Sequence, residues 1–91
     1  MELNSELDRL RKYSAIETEL NKAIKKHPDY PVDMYKQYAI IAEEAGEIVK
    51  AVLHYYDEGG SIEDIKNELI QTAAMCVRML NYLNSDTGDK K

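Results

Sequence analysis

The chain has 91 residues and a formal net charge of −5, enough for one small domain whose own core is marginal, since a chain of this size buries only about 60–65% of its unfolded surface. The acidic balance argues against a duplex nucleic-acid or anionic-membrane surface, because Arg11-Lys12 and Lys25-Lys26 are isolated pairs and not a stripe. A single cysteine, Cys76, excludes an intramolecular disulfide, and no apolar run reaches the roughly 18 residues that span a bilayer.

Three long helices dominate the pattern. In the first, from about Leu3 to Lys26, Leu7, Leu10, Tyr13, Ile16, Leu20 and Ile24 recur at spacings of three and four with charges between. It ends at His27-Pro28, because the residue before a proline is biased away from helix. His27 to Asp33, with two prolines, is an extended connection. The second helix starts near Met34 behind an Asp33 N-cap and runs to about Glu58. Its apolar arc holds Met34, Tyr38, Ile41, Ala45, Ile48, Val49, Val52 and Tyr56, so Tyr38 and Tyr56 are expected in the core. Gly59-Gly60 ends it.

Ser61 opens the third helix, with Asp64 completing a weak capping box, and the helix runs to about Asn84. From Leu69 to Leu83 it is apolar over most of its circumference, apart from a slot carrying Gln71, Arg78 and Asn81. Three helices of one chain can hardly cover such a helix, so subunit association is expected. Cys76 lies in this apolar run and is expected to be a buried, inert thiol. The tail from Ser85 to Lys91 has no apolar residue and is expected to fray. The fold class is therefore all-α, with three long helices forming antiparallel bundles completed by oligomerisation. One domain covers 1–91, with 1–26 as first helix, 34–58 and 61–84 as the helices that carry the site, and 85–91 as tail. The acidic, charge-interrupted N-terminus does not resemble a signal peptide, and a cytoplasmic location is expected.

Glu43, Glu44 and Glu47 fall within an arc of about 100° on the second helix. Like charges at these spacings cost roughly 0.2–0.5 kcal/mol a pair, and none of the three has a Lys or Arg four residues downstream. Glu68 and Gln71 form a second pair on the third helix. Glu47 precedes the Gly59-Gly60 turn by 12 residues and Glu68 follows it by 8, so at 1.5 Å a residue an antiparallel pair of helices can bring them roughly level. Oxygen ligands converging from two helices suit Mg²⁺ or Mn²⁺ better than Zn²⁺. Lys50 and His54 follow on the same face, and Arg78 lies two turns beyond Gln71. A metal flanked by such cations matches a polyphosphate. Tyr30, in the proline-bounded connection, is a candidate to stack on a base.

The run Glu43-Glu44-Ala45-Gly46-Glu47, followed by Glu68-Leu69-Ile70-Gln71, resembles the motif of the MazG-like, all-α nucleoside triphosphate pyrophosphohydrolase superfamily: Glu-Glu-x-x-Glu, a spacer, then Glu-x-x-Asp. The resemblance covers about two thirds of the chain and leaves out most of the first helix. It implies Mg²⁺-dependent hydrolysis of a nucleoside triphosphate to the monophosphate and pyrophosphate by a homo-oligomer, dimer or tetramer. It also implies Glu44, Glu47, Glu68 and Gln71 as metal ligands. Glu43, or Glu47, would deprotonate the attacking water, and Lys50, His54, Arg78 and Tyr30 would hold phosphate or nucleotide. The departure is Gln71, where the family has Asp: an amide oxygen can coordinate but brings no charge. The alternative is a non-catalytic helical oligomer that binds nucleotides or a protein through a decayed metal site. A third reading is a plain structural coiled coil.

Overall fold

The computed structural model describes residues 2–31 and 33–84, and consists there of α1 (Glu2–Lys26), α2 (Met34–Glu58) and α3 (Ile62–Leu83), without a strand among the described residues. The caps stand where the sequence places them. The Asp33 carboxylate accepts from the Tyr35 N–H at 2.8 Å, and the Ser61 hydroxyl accepts from the Asp64 N–H at 3.1 Å. Gly59 takes the left-handed conformation, φ 74°, which closes α2 and starts the turn into α3. The tail from Ser85 onward lies outside the described residues.

The helices lie side by side in one layer. α3 packs against both α1 and α2, which make no backbone-level contact with each other among the described residues. The molecule measures 44 × 35 × 20 Å, and its radius of gyration is 15.2 Å, against about 12 Å for a compact chain of this length. α2 and α3 run antiparallel through their short glycine turn. α1 runs parallel to α3: Asp8, Arg11 and Lys12 border the start of α3 at Lys66, Leu69 and Ile70, while Ala23 meets Arg78 near its end. The connection from His27 to Asp33 therefore has to cross the C-terminal end of α3 to carry the chain from one flank to the other.

The three helices are those expected, and their arrangement in a single layer places several side chains elsewhere than the sequence suggests. Leu20 and Ala74 are the buried apolar residues among those described. Tyr38 and Tyr56, expected in the core, are 65% and 77% exposed, because α2 meets one neighbour, which covers only one side of it. Val49 and Leu53 lie open for the same reason. Cys76, expected buried, is exposed on the α3 face that neither flanking helix covers.

Candidate functional site

The acid cluster is assembled by the α2–α3 pair. Glu44 feels the charges of Glu43 and Glu47 on its own helix and of Glu68 across the interface, and its carboxyl is held above the ordinary value of 4.5 by partial burial first, then by Glu68, Glu43 and Glu47. The sequence expectation that Glu47 and Glu68 come level holds, as both border one recess between the helices. Lys50 gives the cluster its nearest cation. Its Nζ lies 3.5 Å from Glu47 Oε2 as an i,i+3 pair, which offsets one of the three acids.

Because Glu44 binds its proton more tightly in the folded chain than in the unfolded one, its contribution to stability falls as pH rises from about 4.5 through its raised folded value. Glu44→Gln removes that penalty. Thermal melts should show a higher Tm than wild type at neutral pH, with the difference shrinking below about pH 4. A Tm unchanged at neutral pH would show that Glu44 is not under electrostatic stress.

The sequence-named residues divide between two recesses that meet at Gln71. The larger, about 670 Å³, is bounded by the end of α1, the connection and the outer halves of α2 and α3; Tyr30, Glu43, Glu44, Gln71 and Arg78 line it. The smaller, about 410 Å³, lies nearer the glycine turn and is lined by Glu47, Lys50, His54, Glu68 and Gln71, together with Asp64. Nine residues singled out from sequence thus border one continuous strip along the α2–α3 interface.

Arg78 has a different setting from the surface cation that the polar slot suggests. It is nearly buried, and its guanidinium donates to the carbonyls of Ala23 (3.4 Å) and His27 (2.7 Å) at the end of α1; the Ala23 carbonyl also accepts the His27 N–H at 2.8 Å, whereas the His27 carbonyl lies just past the helix. It also sits 4.3 Å from the centre of the Tyr30 ring. One face of Tyr30 is therefore taken by the guanidinium, and Tyr82 meets the ring edge-on at 6.4 Å, which leaves less of it for a base than the sequence alone implies. The Tyr30 hydroxyl is buried without a partner, and burial pushes its pKa above the usual tyrosine value, with Arg78 pulling it part of the way back.

Two features of the site had little or no signal in the sequence. Gln37, in the first turn of α2, is completely buried and donates to the Pro31 carbonyl at 2.6 Å, pinning the connection from below. Nothing in a lone glutamine marks it for burial. Glu58, four residues after His54, accepts from its Nδ1 at 2.7 Å; the i,i+4 spacing was the available clue.

Among the described residues no group of three or more His, Cys, Asp or Glu side chains is drawn together as a metal cage. The donor chemistry nonetheless suits a hard dication: carboxylates in mutual repulsion around Glu44, and an amide oxygen at Gln71. Mg²⁺ is commonly held by one or two carboxylates, with waters and substrate phosphates completing the shell, and so requires no such cage. Among the described residues no helix is long and apolar enough to cross a membrane. Compared with protein-family models, curated proteins and solved structures, the chain matches none.

Proposed function

We propose that the chain is a metal-dependent nucleoside triphosphate pyrophosphohydrolase that releases the monophosphate and pyrophosphate. One observation carries the reading: partial burial, and then the charges of Glu68, Glu43 and Glu47 from two helices, destabilise the Glu44 carboxylate, an arrangement that a bound dication would relieve. The resemblance of the Glu43–Glu47 and Glu68–Gln71 motifs to the MazG-like superfamily points the same way.

Glu44, Glu47 and Glu68, with the Gln71 amide oxygen, would hold Mg²⁺, or Mn²⁺ in its place. When bound there, the ion supplies a Lewis acid that draws charge from the reacting phosphorus and acidifies a coordinated water. Glu43, in the larger recess, or Glu47, in the smaller, would orient the attacking water. Lys50, already beside Glu47, balances the phosphate charge in the smaller recess. Arg78 holds the wall of the larger recess through the end of α1 and Tyr30, and its charge would favour phosphate or nucleotide there.

Association of like subunits belongs to the same reading. The chain exposes 7072 Å², where a monomer of 10.5 kDa exposes about 5,400 Å². Tyr38, Val49, Leu53 and Tyr56 on α2, with Leu69 and Leu80 on α3, are large apolar side chains left open. A homodimer or tetramer of a protein of the cytoplasm covers them. The same exposed faces favour a second reading, a non-catalytic oligomer that binds nucleotides or a partner protein.

Pyrophosphate release from a panel of nucleoside triphosphates, with Mg²⁺ and with Mn²⁺, tests the proposal, and Gln71→Asp separates the two readings. The added charge should tighten metal binding, read as a larger rise of Tm with Mg²⁺. If turnover rises with it, the chain is a weakened hydrolase. If metal binding tightens and no nucleotide is cleaved, the binding module stands and the enzyme reading falls.

A further inference from the structure

The end of α2 carries an arrangement that neither the acid motif nor the phosphate-binding role requires. His54 borders the smaller recess beside Glu47, Lys50, Asp64 and Glu68. Its Nδ1 lies 2.7 Å from Glu58 Oε1. An ionised carboxylate only accepts, so Nδ1 carries the hydrogen, and the neutral ring keeps its lone pair on Nε2. Among the described residues Nε2 makes no hydrogen bond.

A second feature borders the same ring. Gly60 folds back against it: a Cβ built at Gly60 would overlap His54 Cδ2 and come within 3.0 Å of Cγ. Gly60 lacks the positive φ of Gly59, so its backbone does not demand glycine. The imidazole does. The turn thus packs one edge of the ring while Glu58 holds another.

We propose that His54 is the proton acceptor of the smaller recess, with Glu58 and Gly60 as its positioning residues. This inference rests on the hydrolase reading and assigns a further catalytic group within it. Water attacks the α-phosphorus of the nucleotide, a new P–O bond forms, and the bond to the departing pyrophosphate oxygen breaks. The water's proton passes to Nε2, and Glu58 stabilises the imidazolium that results. The imidazolium then has N–H groups on both nitrogens, and Nε2 becomes a donor to a phosphate oxygen before releasing its proton to solvent. The charged groups around the ring are Glu58 and Lys50 on α2, Glu47 one turn beyond Lys50, and Asp64 and Glu68 on α3.

The test pairs kinetics with side-chain ¹⁵N NMR, the second histidine being identified through His54→Asn. At about pH 8 the neutral His54 ring should carry its hydrogen on Nδ1, and Glu58→Ala and Gly60→Ala should each shift it toward the Nε2–H tautomer. In pyrophosphate release, His54→Asn should lower kcat at least about 100-fold and flatten the rise of kcat with pH. Glu58→Ala and Gly60→Ala should each lower kcat about 10-fold with KM nearly unchanged. Turnover that survives His54→Asn and Glu58→Ala overturns the dyad and leaves the hydrolase reading intact. A wild type that holds the Nδ1–H tautomer but releases no pyrophosphate overturns the catalytic assignment together with the hydrolase reading. A wild-type ring protonated on Nε2 overturns the positioning role of Glu58.

Discussion

Arg78→Ala should destabilise the folded chain by about 3 kcal/mol, a large part of the stability of so small a domain. The guanidinium bond to the His27 carbonyl, at 2.7 Å, is charge-assisted and contributes roughly 1.5–3 kcal/mol. Its position over Tyr30 adds about 0.5–2 kcal/mol, since the guanidinium is largely desolvated there. The Ala23 bond, at 3.4 Å, adds little. The arginine ties α3 to the end of α1 and to the connection that crosses it, so its loss frees three elements at once. Urea unfolding followed by circular dichroism measures the change. Arg78→Lys should recover only a minor part of it, because an ammonium cannot fork between two carbonyls while lying flat on a ring. The Tyr30 hydroxyl offers a separate readout: without the guanidinium its pKa should climb further above the usual value. An alanine variant within about 0.5 kcal/mol of wild type would show that the latch does not hold the fold.

Glu47→Gln should lower pyrophosphate release by at least about 100-fold while leaving the fold as stable as before. The substitution keeps the shape of the side chain and removes its charge. Glu47 stands among the other acids and beside Lys50, 40% exposed in the recess it shares with Glu68. Removing one like charge relieves Glu44, and losing an exposed pair to Lys50 costs under about 1 kcal/mol, so the two changes in stability nearly cancel. The rise of Tm with Mg²⁺ should shrink in the variant, as a ligand that binds only the folded state stabilises it in proportion to its affinity. Near wild-type turnover in Glu47→Gln would remove the smaller recess from consideration as the reacting site.

Local chemistry made the helices legible. Asp33, Ser61 and Gly59 act on their own backbone neighbours, and the apolar spacing of three and four is a property of one helix at a time. The level placement of Glu47 and Glu68 followed from counting residues either side of a two-glycine turn, which leaves an antiparallel pair little freedom. The clustering of nine candidate residues along α2–α3 has the same origin.

What the sequence by itself determined, then, is three helices, the second and third with their caps, one short turn and an acid-rich seam between those two. Only the tertiary structure decided that α3 lies between α1 and α2 in a single layer, because helical periodicity says which face is apolar and not what covers it. That choice left Tyr38, Tyr56 and Cys76 in the open and sent the connection across the end of α3. The crossing in turn buried Gln37 and turned Arg78 inward to cap α1, through contacts with Ala23 and His27 that lie more than fifty residues away along the chain. Long-range contacts of this kind have no local signature, since they depend on which helix ends the packing brings together.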